Sequence, residues 1–400
     1  MNTTRLFRRS IAACAGVMLS ISGAFGQEAP WPTGGWVAAN PAAHGLDAAP
    51  LEGLDARIRA GDFGYIDRLV VVRDGFLVVD ERYAVDYEEV SRGRTSAIGC
   101  GFGCSDPSWD HQFNYLHPDW HPYYQGRDVH TLQSVTKSVS ATLIGVAIER
   151  GEIVGVDVPI LPFLVNYDLS DAPSGLHEAT LDDLLTMRTG IEWHETDRPM
   201  DDSNTTILLE RSDDWVQFTL RQPMDAAPGE KWAYNSGGSQ LMSAILKAST
   251  GQTMDQYAED HLFGPLGIDD FFWKITPAGL PDALGGLYLE ALDLAKIGYL
   301  YLKDGVWHGR RILPEGWVRA ATSRRVESPG YGYQWWRPDP GGVEVWAGQG
   351  FGGQFLLVLP AYDVVAVINS WNQFGGRPGN LRDALVAAVV ESLGGTGPGR

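Results

Sequence analysis

Between Thr131 and Ile148 the chain reads Thr-Leu-Gln-Ser-Val-Thr-Lys-Ser-Val-Ser-Ala-Thr-Leu-Ile-Gly-Val-Ala-Ile, and this stretch limits what the rest can fold into. Apolar residues at Val135, Val139, Leu143, Val146 and Ala147 recur at helical spacing, and Ile144 and Ile148 widen the stripe. The spacing predicts one helix over 131–148, closed by Gly151 as a C-terminal cap. From Ser134 to Ile148 the only charged side chain is Lys137. A helix that is apolar nearly all round is buried on most sides, so the fold must be built around it.

A lone ammonium in such surroundings is costly, and burial favours the neutral amine, which is how a lysine becomes a base near neutral pH. Three residues upstream on the same face stands the hydroxyl of Ser134, beside the partly positive helix N-terminus. A serine next to a base is the pattern of covalent acyl transfer. With 22 serines and six lysines in 400 residues, chance yields only about one third of a Ser-x-x-Lys match, and this is the single one present. The plainer alternative is a surface lysine with a capping serine; the apolar context of Lys137 favours the reactive reading.

The N-terminus has its own signature. Arg5, Arg8 and Arg9 precede an apolar run from Ile11 to Phe25, followed by Ala24-Phe25-Gly26, which suits signal peptidase. The run is too short to span a bilayer, so residues 1–26 are expected to be a signal peptide cleaved near Gln27, with export to the periplasm or medium and no stable membrane insertion afterwards. A lipoprotein-like Ile11-Ala-Ala-Cys14 and a weak twin-arginine pair at Arg8-Arg9 are lesser readings. Cleavage takes three arginines and no acid, moving the formal charge from −19 to −22, which argues against nucleic acid or anionic lipid as a partner. Two cysteines then remain, Cys100 and Cys104, forming either a small disulfide loop or two free thiols.

Along the chain, Ala48–Ala60 reads as a helix, and Ile66–Tyr83 as two β-branched runs around Asp74-Gly75, the strongest hairpin signal present. Residues 91–130 form a long irregular segment rich in His, Trp and Tyr, including His111, His117, Trp120, His121, Tyr123 and Tyr124. A segment of that kind suits a substrate-pocket wall; Pro118 and Pro122 oppose a helical metal site at His117 and His121, and neither metal nor cofactor is expected. Helices are expected at Leu181–Met187, Ser212–Leu220, Gly238–Ala248, residues 291–303 and Leu381–Leu393. Strands are expected at Tyr331–Trp336, Val343–Ala347, Gln354–Leu359 and Val364–Asn369. A hairpin early, helices in the middle and strands late imply an α+β fold: one antiparallel sheet assembled from both chain ends, flanked by helices, with a mostly helical insertion.

Ser134-Val-Thr-Lys137, Tyr234 on a loop before a helix, and a Gly-rich strand edge at 348–353 together resemble the serine β-lactamase and penicillin-binding-protein superfamily, in its class C-like esterase branch. Leu184-Leu-Thr-Met-Arg-Thr-Gly190, Pro228-Gly229, Tyr234-Asn-Ser-Gly-Gly238, Asp293-Leu-Ala-Lys-Ile-Gly298 and Tyr331-Gly-Tyr match as well. Gly350-Phe-Gly-Gly-Gln354 is similar to the late motif of the aminohexanoate (nylon)-oligomer hydrolase subgroup. The resemblance spans roughly residues 35–395 and implies an α/β/α sandwich, with the α/β part at about 45–135 and 285–395 and the helical part at about 136–284.

By position, the resemblance makes Ser134 the acylated nucleophile, Lys137 the base and Tyr234 the proton shuttle. The oxyanion would be held by the backbone N–H of Ser134 and of Phe351, with Gln349 as the fallback. Ser236, Gln349, Gly350 and Trp120 are the expected substrate contacts. Two departures stand out: Ser236 occupies the place of the family's amide in Tyr-x-Asn, and Gly348-Gln349-Gly350 replaces Lys-Thr-Gly, leaving Arg337 as the nearest cation in sequence. A carboxylate-bearing β-lactam or D-alanyl substrate needs such a cation, so an ester or small amide is expected instead. The alternatives are a β-lactamase or D-Ala-D-Ala carboxypeptidase, and a non-catalytic protein binding a ligand with its aromatic segment. The chain has no Gly-x-Ser-x-Gly elbow, which disfavours an α/β-hydrolase. Oligomeric state has no sequence signal.

Overall fold

Asp74 and Gly75 both hold positive φ, 52° and 80°, the pair a tight two-residue hairpin turn demands. The computed structural model describes residues 31–86, 125–199, 201–372 and 380–395. In chain order the main elements are α1 (Ala48–Arg59), β1 (Ile66–Arg73), β2 (Phe76–Arg82), β3 (His130–Thr131), α2 (Val135–Glu149) and α3 (Ser236–Thr250). They continue with β4 (Phe271–Trp273), β5 (Leu287–Leu289), α4 (Ala291–Leu302), β6 (Trp346–Gly350), β7 (Gln354–Leu359), β8 (Val364–Ser370) and α5 (Leu381–Ser392).

The Asp-Gly hairpin starts an antiparallel sheet of order β2-β1-β8-β7-β6, so its central pair joins the two ends of the chain, with Val70 opposite Val367. Side chains alternate across it. Val70, Val72, Leu356, Val358, Val365 and Val367 join the core of α2 and α4, whereas Leu69, Val71, Leu357, Leu359, Ala366 and Ile368 join that of α1 and α5. Both faces are therefore covered, and every residue of β8 is buried. That is why β8 reads as an unbroken apolar run rather than as an alternating strand. The expected α/β/α arrangement with a helical insertion is borne out. The insertion carries α3 and the short helices Leu181–Leu185, Thr205–Glu210 and Trp215–Leu220, each opened by a side chain capping its first turn. A second sheet, β3-β5-β4, lies beside the start of α2.

Three expectations are corrected. Residues 131–148 are not one helix: His130–Thr131 is a strand, Gln133 holds a left-handed φ of 49°, and α2 begins at Val135. Helical periodicity in 131–134 is overridden by pairing with β5. Tyr331–Trp336 is a turn rather than a strand, because Gln334 (φ 58°) reverses the chain while its side chain donates to the carbonyls of Leu184 and Leu185. The strand expected at Val343–Ala347 runs instead from Trp346 to Gly350, where ladder pairing with β7 outweighs the poor strand preference of Gly-Gln-Gly. Residues 91–124 of the aromatic segment expected to wall the pocket, with Trp120, Cys100 and Cys104, and the leader at 1–26 lie outside the described residues. Among the described residues no helix is long and apolar enough to cross a membrane, and no group of three or more His, Cys, Asp and Glu is placed to hold a metal ion.

Candidate active site

Ser134 sits where β3 gives way to α2. The left-handed Gln133 makes the bend, and its side chain donates to Thr131 Oγ1 at 3.1 Å. Ser134 occupies the N-cap position, yet its hydroxyl makes no capping bond, so it remains available to other groups. One turn on, Lys137 is 1% exposed. Its Nζ lies 2.9 Å from Ser134 Oγ and donates to the Leu284 carbonyl at 2.8 Å. A carbonyl can only accept, so that bond orients the amine and turns its remaining valences toward Ser134. Burial pulls the Lys137 ammonium down to about 8, against the opposing pull of Glu195, Asp282 and Glu210.

The carbonyl that orients the amine is itself held from behind. Asp282 Oδ1 accepts the backbone N–H of Leu284 at 3.0 Å and of Gly285 at 2.9 Å, while Asp282 Oδ2 pairs with Lys274 Nζ at 3.1 Å. Both side chains of that pair are buried. Nearby, burial pushes the Glu210 carboxyl up to about 7, with Lys274 pulling the other way.

Tyr234 arrives from the loop before α3. Its ring centroid lies 5.2 Å from Lys137 Nζ, and its phenol reaches the Ser134 hydroxyl. Burial raises the phenol well above its usual range, so it stays protonated. The ring stacks on Trp336 (centroids 5.5 Å apart, 30° between planes), and Trp232 and Tyr331 pack edge-on to the same tryptophan. Three expected reactive side chains, from two separate helical entries, thus meet at one point.

The expected substrate contacts behave differently. Ser236 is buried, and its hydroxyl is donated to Glu195 Oε1 at 2.7 Å. The neighbouring Asn235 caps α3 with its Oδ1, which accepts from Gly238 N at 2.7 Å, while its buried Nδ2 has no hydrogen-bond partner among the described residues. Gln349 Oε1 accepts from Arg382 at the start of α5. Arg337, the nearest cation in sequence, is paired with Asp339 and Glu344, and the cation that does reach this strand edge, Arg382, is itself paired with Asp383 at 2.7 Å. Gly350 packs so tightly that a Cβ there would stand 2.3 Å from the Leu132 carbonyl, which presses the β6 edge against the Ser134 bend. Ala347 exchanges both backbone hydrogen bonds with Trp336 on the side away from β7. By strand alternation the Gln349 amide faces that same outer edge, and Phe351 is the next residue of that parity. Phe351 itself is 42% exposed, just past the strand end. Glu195, Leu284, Asp282, Lys274 and Arg382 were not legible in sequence, because each acts through a contact between distant segments.

The β-lactamase family model matches residues 70–391. A 6-aminohexanoate-dimer hydrolase of Paenarthrobacter ureafaciens is 27% identical over 274 residues, covering 61% of this chain and 67% of that protein. Penicillin-binding protein 4 of Amycolatopsis lactamdurans is 26% identical over 280 residues, covering 59% and 70%. Among solved structures, a putative 6-aminohexanoate-dimer hydrolase from Bacillus anthracis superposes with a TM-score of 0.59 at 18% identity, over 85% of this chain and 80% of that one.

Proposed function

The chain belongs to the β-lactamase family, and from that premise we propose that it is an exported serine hydrolase cleaving an ester or small amide through an acyl-enzyme on Ser134. The observation that carries this reading is the buried Lys137 amine, 2.9 Å from Ser134 Oγ and anchored on the Leu284 carbonyl. In its neutral form Lys137 takes the Ser134 proton as Oγ attacks the substrate carbonyl. The resulting oxyanion rests on the N–H groups of Ser134 and Phe351. Tyr234, kept protonated by burial, gives its proton to the leaving oxygen or nitrogen as the C–O or C–N bond breaks, and recovers one from Lys137. Water then attacks the acyl-enzyme by the same route in reverse, releasing the acid and restoring the Ser134 hydroxyl.

The test is hydrolysis of short-chain p-nitrophenyl esters and anilides by the mature protein, with intact-mass detection of an acyl adduct. Ser134→Ala is expected to lose both turnover and adduct, and unchanged turnover in that variant would overturn the reading. A second reading, a β-lactamase or D-Ala-D-Ala carboxypeptidase, is favoured by one observation: Arg382, itself paired through Nε with Asp383 at 2.7 Å, reaches Gln349 on the strand edge with its Nη1, where a substrate carboxylate would need a cation. Rapid nitrocefin turnover or stoichiometric penicillin labelling would select it.

A further inference from the structure

Glu195 lies in none of the matched motifs, yet it accepts three hydrogen bonds at the edge of the site. The Ser236 amide donates to its Oε2 at 3.0 Å, Trp193 Nε1 donates to the same oxygen at 3.0 Å, and the Ser236 hydroxyl donates to Oε1 at 2.7 Å. Ser236 is the first residue of α3, and the N–H groups of a helix's first turn lack partners within the helix. Asn235 covers the Gly238 amide, and the Glu195 carboxylate covers that of Ser236. A carboxylate here also meets the positive end of a 15-residue helix.

Glu195 is itself held in place. Its carbonyl accepts from Asn204 Nδ2 at 2.9 Å, and the preceding His194 exchanges bonds with Thr205 through its own N–H and carbonyl. The Trp193 indole is pinned a second way, donating to Thr206 Oγ1 and packing so closely on Gly237 that a Cβ there would stand 2.4 Å from the ring. One carboxylate therefore fastens the segment 193–195 to the chain immediately after Tyr234.

Building on the acyl-enzyme reading, we propose that Glu195 is a positioning residue for the reaction: its carboxylate fixes the Tyr234-Asn235-Ser236 entry into α3 and thereby the placement of the Tyr234 phenol. The carboxylates whose charge acts on Lys137 are Glu195 from this segment, Asp282 from the loop before β5 and Glu210 from the short helix Thr205–Glu210, and the Tyr234 ring lies beside the amine. Lys274 balances Asp282 and acts on Glu210. Glu195 is first among the carboxylates acting on Lys137, and it also acts on Tyr234. Its two contributions separate by substitution. Glu195→Gln keeps an oxygen for the Ser236 amide and Trp193, lets the Ser236 hydroxyl turn to accept from the new amide, and removes the charge. Glu195→Ala removes both the clamp and the charge.

The experiment measures kcat and KM for a p-nitrophenyl ester across pH for the wild type, both variants and Ser134→Ala, with circular dichroism confirming each fold. For Glu195→Gln the acid limb of kcat/KM is expected to move down by about 0.5 to 1 in pH, because Lys137 loses a negative neighbour. For Glu195→Ala, kcat is expected to fall about 10- to 100-fold with KM within about twofold, because Tyr234 is misplaced. A Glu195→Gln limb coincident with the wild type, together with an unchanged kcat in Glu195→Ala, would overturn the proposal. If Glu195→Ala does not fold, the Glu195→Gln limb alone decides. Turnover surviving in Ser134→Ala would refute the acyl-enzyme reading instead, so the two failures are distinguishable.

Discussion

The Lys137 amine makes the acid limb of the rate profile calculable. An exposed lysine ionises near 10.5, and burial brings this one to about 8. The difference corresponds to a penalty on the charged form of roughly 3 kcal/mol. At pH 7 about a tenth of the molecules would hold the neutral base, and at pH 9 about nine tenths, so kcat/KM should rise about tenfold between them and then level off. An unshifted lysine would give about a 100-fold rise over the same interval and no plateau below pH 10. The assay is release of p-nitrophenol from an acetyl ester between pH 6 and 10, corrected for spontaneous hydrolysis. A log-linear rise continuing past pH 9, or a profile flat from pH 6, would refute the reasoning. The same shift has a stability consequence with a definite sign. The folded-state value lies below the unfolded one, so the unfolded chain binds the extra proton between about pH 8 and 10.5, and stability falls as pH drops through that window. Lys137→Met should therefore be more resistant to urea than wild type at pH 7, with the gap closing toward pH 10.5.

Other expectations follow from single contacts. Tyr234→Phe keeps the stack on Trp336 but loses the proton carrier, so kcat should fall by about 10²- to 10⁴-fold with an unchanged melting curve. Gly350→Ala should lower both activity and thermal stability, at a cost of about 1–3 kcal/mol, because the new methyl meets the Leu132 carbonyl. Lys274→Met removes the cation that pairs with buried Asp282 and should cost about 3–5 kcal/mol in denaturant unfolding; wild-type stability would show that the pair is dispensable. Expression in a secreting host should yield a mature N-terminus near Gln27 by intact-mass measurement.

Arg68 illustrates how the sheet is tied to the site's surroundings. Its buried guanidinium bridges Asp80 on β2 and Glu290 just before α4, at 2.8 Å and 2.6 Å. These bonds link the hairpin to the helix covering one face of the sheet. Breaking one partner of a buried pair costs more than the pair contributes, so such links chiefly enforce one arrangement of the elements.

What sequence determined here was local or periodic. The Asp-Gly hairpin, the helices at 48–59, 291–302 and 381–392, and the strands at 354–359 and 364–370 follow from turn chemistry and from apolar spacing that a neighbour must bury. Ser134 and Lys137 belong to this class, because their separation of one helical turn creates their contact. Tertiary structure decided everything that depends on approach between distant segments. The Gln133 bend and the Tyr331–Trp336 turn are imposed by partners on other elements, against the local pattern. The Leu284 carbonyl that aims the amine, the Asp282–Lys274 pair behind it, the Glu195 clamp on α3 and the Arg382 cation at Gln349 join residues with no common spacing. Periodicity records which face of an element must leave water, but the partner on that face is chosen by packing over the whole chain, and no short window of sequence contains it.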